Sequence, residues 1–475
     1  MTGLAPADWA VLGAYAVATV AIGFHFGGRV TDRESLLTGG RRTPVWAIAI
    51  SVVATSVSGV TFLGAPQAAY AGDLSYLSAS IASVLASVAV ALVFLPRFYA
   101  VGASTVYEAI GQRAGRPAQR ACAVAFLIGR LLASGVRLYV AAIPCSLILF
   151  GGLETGQLLI SVALLGLIAV AYSAWGGIRA VIATDALQAL VMIVAVAAGV
   201  WVLLGQLPER VQIDDAEKLR VIDWSLDLSR PFTIWSVLLG LTLFNAAAFA
   251  TDQDLAQRLL TASSAEKASR SLILSGVLGV GMVGIFLAVG LLLYLRDQAA
   301  GTIESDDTRR VFLAFMLQDL PIGLRGMLVA GLFAAAMSST DSALNAMSSS
   351  LVVDFGLGRS RLADARLVSI ACGAALTLCA GAFALSQGGR EEGLIPFALG
   401  VMIYAYAGLL GVFISVLLLG RGSTVSVVTA LVLGAAVVAL LATGVLGSIS
   451  IGWRMLAGTL VSAAACSLVG ARTAI

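Results

Sequence analysis

Charged residues are scarce in this chain of 475 residues. They make up 12% of the sequence, whereas a soluble domain has about 25%, and hydrophobic residues make up 59%. The mean hydropathy is +0.98, and apolar runs of about 20 residues recur along the sequence. This composition excludes a soluble protein and predicts a polytopic membrane protein in a cell membrane, with the bilayer as its surroundings.

Side chains that usually carry catalysis are also rare. His25 is the only histidine, and Lys218 and Lys267 are the only lysines. Ser-His sites, zinc-His sites and phosphate-binding lysine motifs are therefore excluded. We expect no enzymatic activity and no nucleic-acid partner. The five cysteines all fall within apolar segments, so we expect small core residues rather than disulfides.

Thirteen segments are long and apolar enough to form transmembrane helices. They are predicted at 8–27, 44–71, 74–98, 121–150, 157–174, 179–205, 232–251, 268–295, 325–354, 366–387, 393–419, 424–446 and 451–471. Arginine is concentrated in one set of alternate loops, including the loop 252–270 with Arg258. The positive-inside rule then places the N-terminus outside and the C-terminus in the cytoplasm. No cleavable signal peptide is expected, because Asp8 rather than a basic stretch precedes the first span.

A polar stripe runs along the helix predicted at 325–354. Its members are Ser338, Asp341, Ser342, Asn345 and Ser349, spaced so that they share one helical face. Polar groups in a membrane helix normally face a cavity, a partner or an ion path. The stripe is therefore either part of a cation site or a set of interhelical hydrogen bonds, and the carboxylate of Asp341 favours the cation.

The span 44–71 is predicted to be broken. It carries a dense run of hydroxyl residues and glycines between Ser51 and Gly64, followed by Pro66, which has no backbone N–H to donate. Broken helices in transporters mark the binding site, although a kinked packing helix remains the alternative. The span 232–251, with Asn245 inside it, is a plausible counterpart. Five spans separate the two, as an inverted repeat of five plus five requires.

Three further ionisable residues lie inside predicted spans. Asp185 needs a partner or an ion, and its alternatives are a salt bridge to Arg130 or Arg137 and a place on a cation path. Arg130 and Arg137 are seven residues apart and share a face. Each either pairs with a protein carboxylate or binds the carboxylate of a substrate, with Arg137 favoured for the substrate because it lies deeper.

Four segments together resemble the sodium:solute symporter family, which includes carriers for sialic acid and monocarboxylates. They are GGRRTPVWAIAISVVATSVSGVTFLGAP, YSAWGGIRAVIATDALQ, TDQDLAQRLL and AGLFAAAMSSTDSALNAMSS, and the resemblance runs from about 35 to 420. It implies an all-α, LeuT-type fold of thirteen transmembrane helices within one transporter domain. An extra helix at 8–27 would precede the repeats 44–205 and 232–419, and two helices at 424–471 would follow them.

The resemblance also implies sodium as the coupling ion and assigns its ligands. The family's sodium site would use the backbone oxygens of Ala54, Val57 and Ala335 with the hydroxyls of Ser338 and Ser339. A second sodium site, found in carriers of the sialic acid type, would map onto Asp185, Asp341 and Ser342. Asp341 stands where that pattern has a serine, so the paired acids would either bind a cation more strongly or share a proton.

The substrate is expected beside this sodium. Its contacts are predicted among Ser56, Ser58, Val60, Thr61, Ser78, Ser80, Asn245, Arg130 and Arg137. The sugar carriers' Glu-Gln pair is replaced by Val60-Thr61, so a small organic anion such as a sialic acid or monocarboxylate is favoured over a hexose. The predicted function is sodium-coupled symport by alternating access. Proton coupling and a non-transporting membrane sensor of the same fold are the alternatives.

Overall fold

Long helices account for almost all of the structure. The computed structural model describes residues 4–27, 33–208, 213, 216–303, 308–357, 362–387 and 394–469. Within these ranges the only β-type pairing is a single bridge between Asp223 and Thr233. The ends predicted at 393 and 471 lie outside the described residues. The prediction of an all-α protein is confirmed.

The main helices are numbered in chain order. They are α1 (Pro6–Gly27), α2 (Val45–Ser56), α3 (Gly59–Ala71), α4 (Ser78–Val93), α5 (Val106–Ala114), α6 (Arg116–Phe150), α7 (Thr155–Gln206), α8 (Thr242–Ala250), α9 (Gln253–Leu259), α10 (Ala265–Ala300), α11 (Leu324–Val353), α12 (Leu362–Gln387), α13 (Leu394–Phe413), α14 (Thr424–Ala442) and α15 (Ile451–Val469). Shorter helices and turns lie at Arg33–Thr38, Gly39–Arg41, Ser75–Leu77, Leu95–Ala100, Ala216–Leu219, Ser236–Leu241, Thr308–Ala314, Phe315–Asp319 and Ile414–Leu418.

The helices of the described residues correspond to the predicted spans. Ten are long and apolar enough to cross a membrane, and the bent pair α2–α3 makes eleven. Two shorter apolar helices, Thr155–Ala171 and Ser236–Ala250, fall where two further spans are predicted. The first of these belongs to α7, which the backbone divides at Gly177 (φ 57°). The exact number of thirteen spans stays a prediction.

The predicted break in span 44–71 is present between α2 and α3, whose axes differ by 67°. Val57 ends α2 in an extended conformation (φ −88°, ψ 101°). Ser58, also extended, begins α3 by accepting a hydrogen bond from the Thr61 backbone N–H. Such a break leaves backbone carbonyl groups without helical partners in the interior of the molecule.

A second break separates α8 from α9. Thr251 ends α8, and Asp252 is extended (φ −92°, ψ 115°), with its side chain accepting from the Asp254 N–H at the start of α9. The break therefore falls where the sequence places the end of the counterpart span. The repeat boundaries 44–205 and 232–419 stay predictions.

Helix α11, which carries the polar stripe, lies in the centre of the molecule. In its most apolar window 89% of the residues are buried, so the stripe faces protein on all sides. Asp8 of α1 fixes its first turn, because the Asp8 carboxylate accepts hydrogen bonds from the backbone N–H groups of Gly323 (2.7 Å) and Gly326 (2.9 Å). A carboxylate at a helix N-terminus satisfies groups that the helix leaves unpaired.

Helix α15 packs closely on the helix turn that precedes α8. A Cβ atom on Gly240 would lie 2.1 Å from the backbone oxygen of Gly452 in α15. Ser450 donates its N–H to Leu228 O at 2.7 Å, just before α15 begins. These contacts hold the first residues of α15 against the helix turn that precedes α8 and against the loop before that turn.

Candidate functional site

Oxygen atoms from the two halves of the molecule meet at the first break. Ser338 Oγ in α11 lies 3.0 Å from Ala54 O in α2 and 3.0 Å from Ala335 O. Ser339 Oγ donates to Ala335 O at 3.3 Å. Val57 is buried in the same apolar cluster as Ala54 and Ala335. The structure thus brings together the residues that the resemblance assigns to the sodium site, and their roles stay a prediction.

The group predicted for a second sodium site lies one turn further along the same interface. Thr55 Oγ1 is within 3.4 Å of Ser342 Oγ and 3.5 Å of Asp185 Oδ2. The Ser342 backbone N–H donates to Asp341 Oδ1 at 2.7 Å. All of these residues are buried, so the three predicted ligands share one interior region.

Arg258 occupies the space between Asp185 and Ser342. Its Nη2 donates to Asp185 Oδ2 at 3.0 Å and also to Ser342 Oγ. Its Nε is 2.8 Å from Ser51 Oγ, and Ser51 in turn donates to Asp185. The side chain is only 1% exposed. The predicted salt bridge from Asp185 to Arg130 or Arg137 is therefore wrong. Arg258, which the sequence places in a loop, turns inward and pairs with Asp185 instead.

Arg130 belongs to the same buried array of charges. It pairs with Asp252 and, at 3.1 Å, with Asp254, and Asp254 also pairs with Arg258 at 3.1 Å. Tyr406 of α13 donates its hydroxyl to Asp252 at 2.5 Å. The array joins α6, α7, α9 and α13. Both terminal nitrogens of Arg130 pair with protein carboxylates, which argues against a role for Arg130 in binding a substrate.

Arg137 differs from Arg130 in its surroundings. Within the described residues it has no hydrogen bond or ion pair, and its Nε is buried without a partner. Its electrostatic neighbours are Arg130, Tyr406, Asp254 and Asp252, but it makes no direct ion pair with either aspartate. A half-buried arginine without a direct ion pair is a candidate for binding an anion from outside the chain.

A cavity of about 260 Å³ lies against the first break, on the side facing α4, α8 and α10. Among the predicted substrate contacts, those lining it are Ser56, Thr61, Ser80 and Asn245. Tyr76, Ser83, Phe232, Phe244, Ser275 and Ile451 also line it and were not predicted. Most walls are apolar with a few polar groups, as in small-molecule sites generally.

The other predicted substrate contacts lie elsewhere. Ser58 caps α3, with its Oγ 3.4 Å from the Thr61 backbone nitrogen. Val60 packs in the large apolar cluster that includes α6. Ser78 donates to Ser75 O at 2.6 Å and so starts α4. Neither these three residues nor the two arginines are among the described residues that line the cavity.

A loop segment clamps the end of α3 that is predicted to face outside. Lys218 Nζ donates to Tyr70 O at 2.6 Å, and Arg220 pairs with Asp73 at 2.7 Å. Burial alone would raise the pKa of the Asp73 carboxyl, but hydrogen bonds from Ser75 and the Arg220 guanidinium outweigh it and lower that pKa. The clamp is therefore charged at neutral pH.

Two broken helices, a buried cluster of oxygen atoms at one break and a cavity beside it together are typical of a secondary transporter. The sequence from 36 to 424 matches the model of the sodium:solute symporter family, and the chain belongs to that family. Its members are sodium-coupled carriers, so sodium is the coupling ion and a small solute is the partner.

Characterised relatives match over most of the chain. The human sodium/iodide cotransporter is 28% identical over 90% of this chain and 68% of its own length. The sodium/sialic acid symporter SiaT of Proteus mirabilis is 26% identical over 96% of this chain and 94% of its own length. The human sodium-coupled monocarboxylate transporter 2 is 27% identical over 73% of this chain and 57% of its own length.

Solved structures share the fold. A Na⁺-coupled sialic acid symporter in a substrate-bound outward-open state superposes with a TM-score of 0.85, at 22% identity and with 99% of both chains covered. A nucleobase-cation-symport-1 family transporter superposes with a TM-score of 0.54, at 15% identity, over 91% of this chain and 92% of its own. The predicted LeuT-type architecture is confirmed at the level of the fold.

Proposed function

We propose that this symporter uses sodium to import a small carboxylate-bearing organic solute bound in the cavity beside α2 and α3. The observation that carries the proposal is the first break, which contributes to two sites at once. Ala54 O faces the serine hydroxyls of α11, while Ser56 and Val57 line the cavity. Sodium binding and solute binding therefore depend on the same few residues of backbone, which is what coupling requires.

In this proposal the sodium ligands are the backbone oxygens of Ala54, Val57 and Ala335 and the hydroxyl oxygens of Ser338 and Ser339. Sodium is a hard monovalent cation, and a set of uncharged oxygen ligands suits it because it binds the ion without several carboxylates. The hydroxyl hydrogens of both serines now point at carbonyl groups. They would turn away when the ion binds, so the ion replaces contacts between α2 and α11 and stabilises one arrangement of the two helices.

The anionic character of the solute is supported by Arg137 and by the relatives. Arg137 does not line the cavity, but it is a half-buried cation that makes no direct ion pair in the described part of the chain. Arg130, in contrast, pairs with two carboxylates. The named solutes of the relatives, iodide, sialic acid and monocarboxylates, are all anions. A cavity of about 260 Å³ is below the ~300–1,000 Å³ of drug-sized sites and favours the smaller carboxylates.

Transport would proceed by alternating access. The repeats 44–205 and 232–419 would rock around the site, and the membrane orientation would have the N-terminus outside and the C-terminus in the cytoplasm. One sodium ion entering down an inside-negative potential of ~100 mV supplies about 2.3 kcal/mol for accumulation. This energy is available only if the ion and solute cross together.

The sodium ligands can be tested in proteoliposomes with radiolabelled carboxylates, including pyruvate and sialic acid. Ser338→Ala combined with Ser339→Ala should abolish the stimulation of uptake by an inward sodium gradient, because two of the five ligands are lost. Ser349→Ala, at another buried serine of the stripe, is the matched control and should retain it. Undiminished sodium stimulation in the double variant, or uptake driven equally by a proton gradient without sodium, would contradict the proposal.

A further inference from the structure

A groove of about 830 Å³, the lateral groove, runs among α6, α13, α14 and α15. Ala125, Ile128 and Leu132 of α6 line it and share one helical face, since they recur at i, i+3 and i+7. Leu431 and Ala435, one turn apart on α14, also line it. Its described walls are mostly apolar, and the transport mechanism proposed above does not use it.

The lateral groove opens towards the surroundings of the helix bundle. Ile128 is 57% exposed although it lies well inside α6, and Val432, next to Leu431 on α14, is 60% exposed. In the most apolar window of α14 only 28% of the residues are buried. Exposed apolar side chains in the middle of a transmembrane helix face lipid rather than water, so the groove opens to the hydrocarbon core of the bilayer.

One end of the lateral groove is polar. Arg454, in the first turn of α15, lines it together with Ser229 and Ser448, which are exposed loop residues. Arg454 is the one charged residue among the described residues that line the groove. Its Nε is buried without a partner, and its side chain makes no hydrogen bond or ion pair in the described chain. Because α15 begins at Ile451, this arginine lies near the membrane surface, at the depth of lipid headgroups.

We propose that the lateral groove binds an anionic phospholipid, with an acyl chain along α6 and α14 and the phosphate at the Arg454 guanidinium. Arginine binds phosphate through a planar fork of N–H donors, and basic pockets between transmembrane helices suit anionic headgroups. A zwitterionic lipid carries its own cation beside the phosphate, so it would bind Arg454 more weakly. A soluble anion would pair with Arg454 but would leave the apolar walls unfilled.

The lateral groove adjoins the solute cavity. Phe232 and Ile451 line both spaces, so these two side chains form part of the wall between them. An acyl chain in the groove would pack against that wall from the side opposite the solute. The lipid is therefore a second ligand, distinct from the transported solute, and it would support the shape of the cavity without entering it.

Native mass spectrometry of the purified full-length protein in a non-ionic detergent tests the proposal. The protein is titrated with phosphatidylglycerol and with phosphatidylcholine of the same acyl chains. Wild type should bind phosphatidylglycerol about tenfold more tightly than phosphatidylcholine. Arg454→Gln should lose this preference, a change of ~1.4 kcal/mol, whereas Arg454→Lys should keep part of it because the charge remains. Glycerol 3-phosphate, a phosphate headgroup without acyl chains, should not displace the lipid.

A second variant tests the position of the lipid. Gly400 lines the groove, and a Cβ atom there would meet nothing within 4 Å in the described structure. Gly400→Leu should therefore fold normally, fill part of the groove and weaken the binding of both lipids severalfold. Gly281→Leu is the matched control, because Gly281 is exposed on α10, has the same free space and is not among the described residues that line the groove. It should leave both affinities unchanged.

The charge of Arg454 has its own control. Arg230 follows Ser229 in the same loop, but its side chain is 53% exposed and already pairs with Asp223 at 3.2 Å. Arg230→Gln should keep the preference for phosphatidylglycerol. Equal affinity of wild type for the two lipids, or the same loss in Arg230→Gln as in Arg454→Gln, would overturn the recognition of an anionic headgroup. Unchanged lipid binding in Gly400→Leu, displacement by glycerol 3-phosphate, or a dimer of the chain in place of bound lipid would overturn the assignment of the groove to a lipid.

Discussion

At the scale of single residues, substituting the two arginines of α6 should have different effects, one on stability and the other on solute binding. Arg130 neutralises two buried carboxylates, so Arg130→Gln should reduce the free energy of unfolding by about 3–5 kcal/mol, as breaking a buried ion pair does. Arg137 makes no direct ion pair in the described chain, so Arg137→Gln should leave that stability nearly unchanged. It should instead raise the KM for a carboxylate solute about tenfold or more. Thermal unfolding and uptake kinetics measure the two effects.

Arg137→Lys refines this comparison. It keeps the positive charge but loses the planar fork that binds a carboxylate through two hydrogen bonds, so its KM should fall between those of wild type and Arg137→Gln. Equal loss of stability in Arg130→Gln and Arg137→Gln would contradict the distinction drawn from their contacts.

Individual site residues were predictable to very different degrees. The serines of α11 could be found from spacing, because polar side chains repeated on one face of an apolar helix are conspicuous. Arg258 was missed, since a charged residue after an apolar run is normally counted as a loop residue. The acid four residues before it, Asp254, was the available signal, because that spacing brings the two side chains together on one helix.

At the scale of helices, α10 and α3 pack so closely that there is no room for a side chain at Gly290. A Cβ atom on Gly290 would lie 2.0 Å from Pro66 O, whereas one on Gly281 would meet nothing within 4 Å. Gly290→Ala should therefore push the two helices apart. We expect it to lower the thermal unfolding temperature and to reduce the rate of sodium-driven uptake severalfold. Gly281→Ala should be neutral or slightly stabilising, since alanine favours a helix by up to about 1 kcal/mol over glycine. Equal behaviour of the two variants would be inconsistent with this contact.

The positions of the helices were largely predictable, and their breaks only in part. Hydropathy locates a span because each must be apolar over its length. Val57 and Asp252 adopt extended backbones for a different reason, which is the tertiary packing around them. Hydroxyl residues and Pro66 marked the first break, whereas nothing in TDQDLAQRLL shows directly that α9 is a short buried helix. The cavity could not be predicted in full, because Tyr76, Ser275 and Ile451 come from segments far apart in sequence.

At the scale of the whole molecule, the membrane orientation is the prediction to test. Ser229 and Ser263 are exposed residues in loops predicted to lie on opposite sides of the membrane. In intact cells a membrane-impermeant maleimide should label Ser229→Cys, and it should label Ser263→Cys only after permeabilisation. The native cysteines are buried or half-buried, so wild-type protein is the background control. Labelling of Ser263→Cys in intact cells would contradict the predicted orientation.

The close packing of α15 has a consequence for how solute preference can change. Ile451 lines the cavity although it belongs to a helix that follows both predicted repeats, and Gly452 fixes its depth against Gly240. The wall of the cavity is therefore formed partly by a helix outside the predicted repeats. Exchanging only α15 between related carriers should reshape the cavity while leaving the proposed sodium ligands untouched, so solute choice and ion coupling could diverge independently.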